Sequence, residues 1–162
     1  MPPRVLCLLV DGFEEIETLA PVDLLRRAGA DVVMASMGDG IHVTGRSGVT
    51  IHGDAKLDDL GDQSFDMLVI PGGPGVQALR DDGRAASIAK SFAKANKPVG
   101  AICAAPLVLH DAGLLAGKRF TAHDSTYKEI TGALKDKRWA DYRPRCWGSG
   151  GVWTPSGEAA LR

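Results

Sequence analysis

Val5-Leu6-Cys7-Leu8-Leu9-Val10 is an unbroken apolar run closed by Asp11-Gly12, and the reading of this stretch decides the fold. Six apolar residues without alternation describe a strand buried on both faces, as in a parallel sheet covered by helices. Over residues 14–28 the pattern becomes helical, with acids in the first turn, Arg26-Arg27 in the last and Gly29 as a stop. Pro21 interrupts this helix and predicts a kink or a fresh start there. Working outward, residues 31–37 hold a second strand. Residues 41–52 alternate around Gly45 and Gly48 as a hairpin does, and Met67-Leu68-Val69-Ile70 is another buried strand ending in Pro71-Gly72-Gly73-Pro74-Gly75. A helix follows from Gly83 or Arg84 to Ala95, then a short strand over 98–102 and a helix over 104–112. Such alternation implies an α/β fold with a parallel sheet between two helical layers, whose ligands sit beyond the carboxyl ends of the strands. Three strand ends therefore hold the candidates: Asp11-Gly12, residues 71–75 and Cys103.

The rest of the composition excludes classes of function. A chain of 162 residues is long enough for one domain with its own core. Nineteen basic and twenty acidic residues leave a net charge of -1, so there is no electrostatic footprint for nucleic acid or anionic lipid. The longest nearly apolar stretch, 98–109, is too short for a membrane span and is broken by Gly and Pro. The start runs straight into a strand with no secretory signal, and three cysteines without a CxxC pair fit a reducing cytoplasm. No phosphate-loop or GxGxxG sequence occurs.

Ala101-Ile102-Cys103-Ala104-Ala105-Pro106 places a thiol where a strand gives way to a helix. A side chain on such an elbow projects at the top of the sheet, and the helix N-terminus is expected to favour thiolate and lower the pKa. The alternative is a small buried hydrophobe, the usual fate of a free cysteine. Cys7, mid-strand, reads as core. Projected at 100° per residue, Glu17 falls among Ala20, Pro21, Leu24 and Ala28, in the apolar stripe of the first helix. Either the first turn frays and this carboxylate reaches water, or Glu17 is held with a raised pKa beside the strand ends. Gly72-Gly73 allows backbone N–H groups to approach a ligand. His42, His52 and His110 read as surface or packing residues, whereas His123 follows the strand 119–122 near another strand end, so it alone is a candidate to join Cys103 as a catalytic residue. No ligand spacing supports a metal site from Cys103, His123 and Glu17.

These residues resemble a known family. Gly12-Phe13-Glu14-Glu15-Ile16-Glu17-Thr18, Pro21-Val22-Asp23-Leu24-Leu25-Arg26-Arg27-Ala28-Gly29, Ile70-Pro71-Gly72-Gly73 and the Cys103 block look like the DJ-1/ThiJ/PfpI superfamily, in its DJ-1-like and bacterial ThiJ/YajL branch. Residues 118–123 resemble a fourth block. The resemblance implies a flavodoxin-like three-layer sandwich with a mostly parallel sheet and a nucleophile elbow, in a homodimer. It implies Cys103 as nucleophile and redox-sensitive thiol, Glu17 as the protonated carboxyl beside it, Gly73 and Ala104 as oxyanion N–H donors, Gly72 in the pocket wall and His123 at the pocket. It further implies a cofactor-independent, metal-free enzyme acting on reactive 2-oxoaldehydes or on glycated protein, as a glutathione-independent glyoxalase or deglycase. The alternative is an oxidative-stress sensor or chaperone that uses Cys103 oxidation without turnover. Ala104 stands where the protease-like branch has His after the cysteine, which argues against a Cys–His peptidase. The resemblance spans about residues 4–137. Residues 138–162 hold all three tryptophans and lack the family's closing turn and helix, so they are expected to be an atypical, frameshifted or truncated tail.

Overall fold

The computed structural model describes residues 1–135, 148–149 and 152–153. The strand–helix alternation closes into one mostly parallel sheet. Its strands are β1 (Arg4–Leu9), β2 (Asp31–Ser36), β5 (Ala55–Lys56), β6 (Met67–Ile70), β7 (Val99–Ala101), β10 (Gly148–Ser149) and β11 (Val152–Trp153). The order across the sheet is β10-β11-β7-β6-β1-β2-β5, and only the β10–β11 pair is antiparallel. Read from β2 to β11, this is the flavodoxin-like order, and strand direction of winding reverses between β1 and β6. The hairpin is present as β3 (His42–Thr44) paired antiparallel with β4 (Thr50–His52), outside the main sheet. A short parallel pair, β8 (Arg119–Phe120) and β9 (Leu134–Lys135), stands apart from it.

The unbroken apolar run of β1 serves two cores at once. Leu6 and Leu8 face a layer built on α2 (Val76–Asp82), α3 (Arg84–Lys94) and α4 (Pro106–Asp111), packing with Leu68, Ile70, Leu79 and Val108. Val5, Cys7 and Leu9 face the opposite layer, with Val22 of α1 (Glu15–Arg27), Met34 and Val43 of the hairpin. Cys7 is fully buried among them, and burial pushes its thiol up to about 12, so it is a core residue. Arg80 ties the helical layer together through Asp111 at 2.7 Å and Glu129 at 2.8 Å.

Three expectations change. Helix α1 runs without a break through Pro21, because the proline removes only one intrahelical bond and both flanking turns are held by their own caps. Its apolar stripe does not face the sheet: Leu24 is 62% exposed, Ala28 is exposed too and Ala20 is half-buried. The buried residues of the helix are Glu15, Glu17, Thr18 and Val22. The last helix of the elbow begins at Pro106, not Ala104, and residues 103–105 form a turn. Helix α2 and the two-residue strands carry too few residues for a period to register. Of the tail expected to be atypical, Trp139, Cys146 and Trp147 lie outside the described residues. Among the described residues, no helix is long and apolar enough to cross a membrane.

Candidate functional site

The reversal point between β1 and β6 brings together the three strand ends singled out in the sequence. Cys103, two residues beyond β7, has φ of 61°, a left-handed conformation that a non-glycine residue adopts at a cost of roughly 1–3 kcal/mol. This is the elbow: the strain turns the side chain out of the strand direction, and the half-buried thiol stands above the sheet. The turn is fastened by Ile102 N–H to the Ile70 carbonyl at 3.3 Å and His123 N–H to the Cys103 carbonyl at 2.8 Å.

Glu17 meets this thiol. Its carboxyl hydrogen bonds to Cys103, and its Oε2 accepts the Gly72 N–H at 3.1 Å. Glu17 is 5% exposed, so the first turn is not frayed. Glu14 caps it, its carboxylate accepting the Glu17 N–H at 2.8 Å. What buries Glu17 is the loop after β6 and the elbow, which lie over the helix N-terminus, and not the sheet. Gly72 shows how closely: a Cβ there would meet Glu17 Oε2, the Cys103 Cβ at 2.5 Å and the Ile102 carbonyl oxygen at 2.9 Å. Gly72 is thus a point of contact between backbone, acid and thiol that only glycine permits.

Both ionisable groups respond. Burial pushes the Glu17 carboxyl above its usual range, with the negative charge of Glu14 adding to it and the Cys103 hydrogen bond opposing. Burial also pushes the Cys103 thiol up, to about 11, and the charge of Glu17 pushes the same way; backbone N–H groups of Gly73 and Ala104 oppose both. The dipole argument expected a lowered thiol. It fails because the helix starts three residues later and is six residues long, while a carboxylate and a dry wall sit against the sulfur. The pair shares one proton over the range where only one member is charged.

Gly73 and Ala104 therefore aim their N–H groups at the sulfur. The main chain of His123 joins the site, but its ring turns to its own segment: Nδ1 lies 2.9 Å from the Ser125 hydroxyl and accepts the Ser125 N–H at 3.3 Å, capping the short turn Asp124–Thr126.

Sequence reasoning found the hairpin but missed its hold on the loop before α1. Thr44 accepts the Gly12 N–H at 2.8 Å and donates its N–H to the Asp11 carboxylate at 2.8 Å. Arg46 N–H reaches the Phe13 carbonyl at 2.8 Å, and Ser47 N–H reaches Glu15 Oε1 at 2.7 Å. Gly45 leaves room for that Glu15 carboxylate, which a Cβ would strike at 2.5 Å. The hairpin thereby holds the loop before α1, and the Arg46 charge slightly opposes the upward push of burial on the Glu17 carboxyl. A glycine in a strand-like stretch was the one signal available.

Comparison with known proteins agrees with this geometry. A profile of the DJ-1/PfpI family matches residues 3–161. DJ-1 homolog B of Arabidopsis thaliana is 39% identical over 131 residues, 80% of this chain and 30% of that protein. The chain thus spans about a third of the length of the Arabidopsis relatives it matches. A protein of Pyrococcus abyssi named as a deglycase is 36% identical over 138 residues, covering 85% of this chain and 81% of that one. The crystal structure of Drosophila melanogaster DJ-1beta superposes with a TM-score of 0.86 at 30% identity, over 99% of this chain and 88% of that chain. With the sheet order, the strained cysteine elbow and the buried glutamate already in place, this chain belongs to the DJ-1/PfpI family.

Proposed function

We propose that the chain is a cofactor-independent cysteine enzyme acting on 2-oxoaldehydes, with methylglyoxal or its protein adducts as substrate. The observation that carries this reading is the buried Cys103–Glu17 hydrogen bond with two backbone N–H groups directed at the sulfur. The deglycase name of the Pyrococcus relative supports the same class of reaction. As Sγ adds to the aldehyde carbon, its proton passes to the Glu17 carboxylate, and the carbonyl oxygen becomes the alkoxide of a hemithioacetal. Gly73 and Ala104 N–H groups donate to that oxygen. Glu17 then returns and relays protons while hydrogen moves from the aldehyde carbon to the neighbouring carbonyl carbon, leaving a thioester. Water hydrolyses the thioester, releasing a 2-hydroxy acid and the thiol. The net change is addition of one water, so no redox partner is required. His123 holds the elbow through its main chain.

A thiol raised to about 11 is almost wholly protonated at neutral pH, so turnover there depends on proton transfer to Glu17 within the complex. In Glu17→Gln the proton must leave to solvent before attack. Lactate formation from methylglyoxal without glutathione is therefore expected to fall about 100-fold or more at pH 7. Activity should recover roughly tenfold per pH unit above it, as the thiolate fraction grows. A variant with wild-type rate and a flat pH profile would remove Glu17 from the mechanism.

A second reading keeps the thiol as a peroxide sensor. The Gly73 and Ala104 N–H groups that reach the sulfur, with a protonated Glu17, would also hold the oxygens of a sulfinate. The proposed assembly is a homodimer. Ile16, Leu19 and Leu24 of α1 are 44%, 38% and 62% exposed and offer apolar surface to a second copy. Leu24→Glu is expected to convert a sedimenting dimer to monomer; a monomeric wild type would end this part of the proposal.

A further inference from the structure

We propose that His42 and His52 form a chelating site for a divalent transition-metal ion on the outer face of the β3–β4 hairpin, independent of the Cys103–Glu17 chemistry. The two residues are direct cross-strand partners. Gly53 N–H donates to the Ile41 carbonyl at 2.7 Å and Gly45 N–H to the Val49 carbonyl at 2.8 Å, which fixes the odd-numbered pairs as the hydrogen-bonded ones. His42–His52 and Thr44–Thr50 are therefore the intervening pairs, in which side chains approach most closely. The threonine hydroxyls, 2.9 Å apart, show the same closeness. The imidazole centroids are 4.1 Å apart with 66° between the ring planes. Val43 and Ile51 point into the core from the opposite face, so both rings stand on the exposed one.

Among the described residues neither imidazole takes part in a hydrogen bond or an ion pair; each ring's recorded contact is the other ring. All four ring nitrogens are thus available. Imidazole suits zinc, copper and nickel, with metal–nitrogen distances of about 2.0–2.1 Å. Adjacent ligand positions then need nitrogens roughly 2.9 Å apart for square-planar or octahedral coordination and roughly 3.3 Å for tetrahedral, separations that side-chain rotation reaches from the observed ring spacing. A rigid hairpin makes the second bond intramolecular, so two histidines bind far better than one.

His42 also lines a cavity of about 380 Å³ beyond the ends of β1 and β2, together with Asp11, Ser36, Asp39 and Asp82. Asp11 is engaged by Thr44 and Asp82 by Arg84. Asp39 has no partner among the described residues and is available as a further ligand. No group of three or more ligating side chains is preassembled there, so water completes the coordination sphere and the ion is exchangeable.

The test is a calorimetric titration of the full chain with NiCl2 in a Cys103→Ser background, which removes the elbow thiol from competition. One equivalent is expected to bind. His42→Ala and His52→Ala should each weaken binding at least about tenfold, and the double variant should match the singles. His110→Ala should bind as the parent does. Both histidines are exposed, so circular dichroism should report an unchanged fold, and His52→Gln repeats the measurement with a bulkier side chain. Absence of Ni2+ binding, or binding that survives both alanine substitutions, would overturn the proposal and leave the pair as a ring contact only.

Discussion

Cys103→Ser should abolish lactate formation from methylglyoxal, lowering kcat/KM by at least about 1,000-fold, or roughly 4 kcal/mol of transition-state stabilisation. Serine is nearly the same size and must adopt the same φ of 61°, so the elbow keeps its strain and its bonds to Ile70 and His123. What changes is the nucleophile. A hydroxyl is far harder to deprotonate than a thiol, even one raised to about 11 by burial and Glu17, and the carboxylate cannot take its proton at a useful rate. Unfolding midpoints in urea should therefore differ little while activity disappears. If the serine variant forms lactate as fast as the parent, the cysteine mechanism is wrong. If neither forms lactate but peroxide adds two oxygens to Cys103 alone, the sensor reading takes its place.

The parts of this molecule legible in its sequence are those in which a local pattern and the tertiary structure ask for the same thing. Val5 to Val10 is apolar throughout because both faces of β1 are covered, and that could be read directly. The Cys103 elbow was legible because strand, thiol, small residues and Pro106 follow in one line. Glu17 was singled out by an argument that was only half sound. It is buried, but the stripe it was assigned to includes Leu24, which points away from the sheet. Periodicity finds an apolar face; it does not say whether sheet, solvent or another chain will cover it. The thiol pKa went wrong for a related reason. A dipole is a local property, whereas desolvation and the Glu17 charge come from residues 86 positions away in the chain. The hairpin's grip on the loop before α1 is made of backbone bonds, which leave almost no trace in residue identity.

Gly73→Ala is expected to be the most damaging single methyl group that can be added to this chain. Gly73 has φ of 103°, where any side chain is strained by about 1–3 kcal/mol. Its Cβ would strike the Gly12 carbonyl oxygen and lie 2.7 Å from the Glu14 nitrogen and 2.9 Å from the Phe13 carbonyl carbon. All three are backbone atoms, so no rotamer change relieves the overlap. Nor can that segment retreat. Gly12 is bonded to Thr44 and Gly75, Phe13 to Val10 and Arg46, and Glu14 to the Gly72 carbonyl. Overpacking adds about 1–3 kcal/mol to the strain, giving a total of roughly 2–6 kcal/mol against a domain stability of about 5–15. The urea midpoint should drop accordingly with little change in slope. Whatever fraction folds should also be inactive, because moving the 12–14 segment shifts Glu14 and hence the cap that holds Glu17 under Gly72. Thiol reactivity separates the two effects: Cys103 in the folded variant should lose its Gly73 N–H and its seated acid together, changing the pH dependence of its alkylation. A variant with wild-type stability and turnover would mean that the loop after β6 is not packed on Gly12 in solution, and the oxyanion donors assigned here would have to be sought elsewhere.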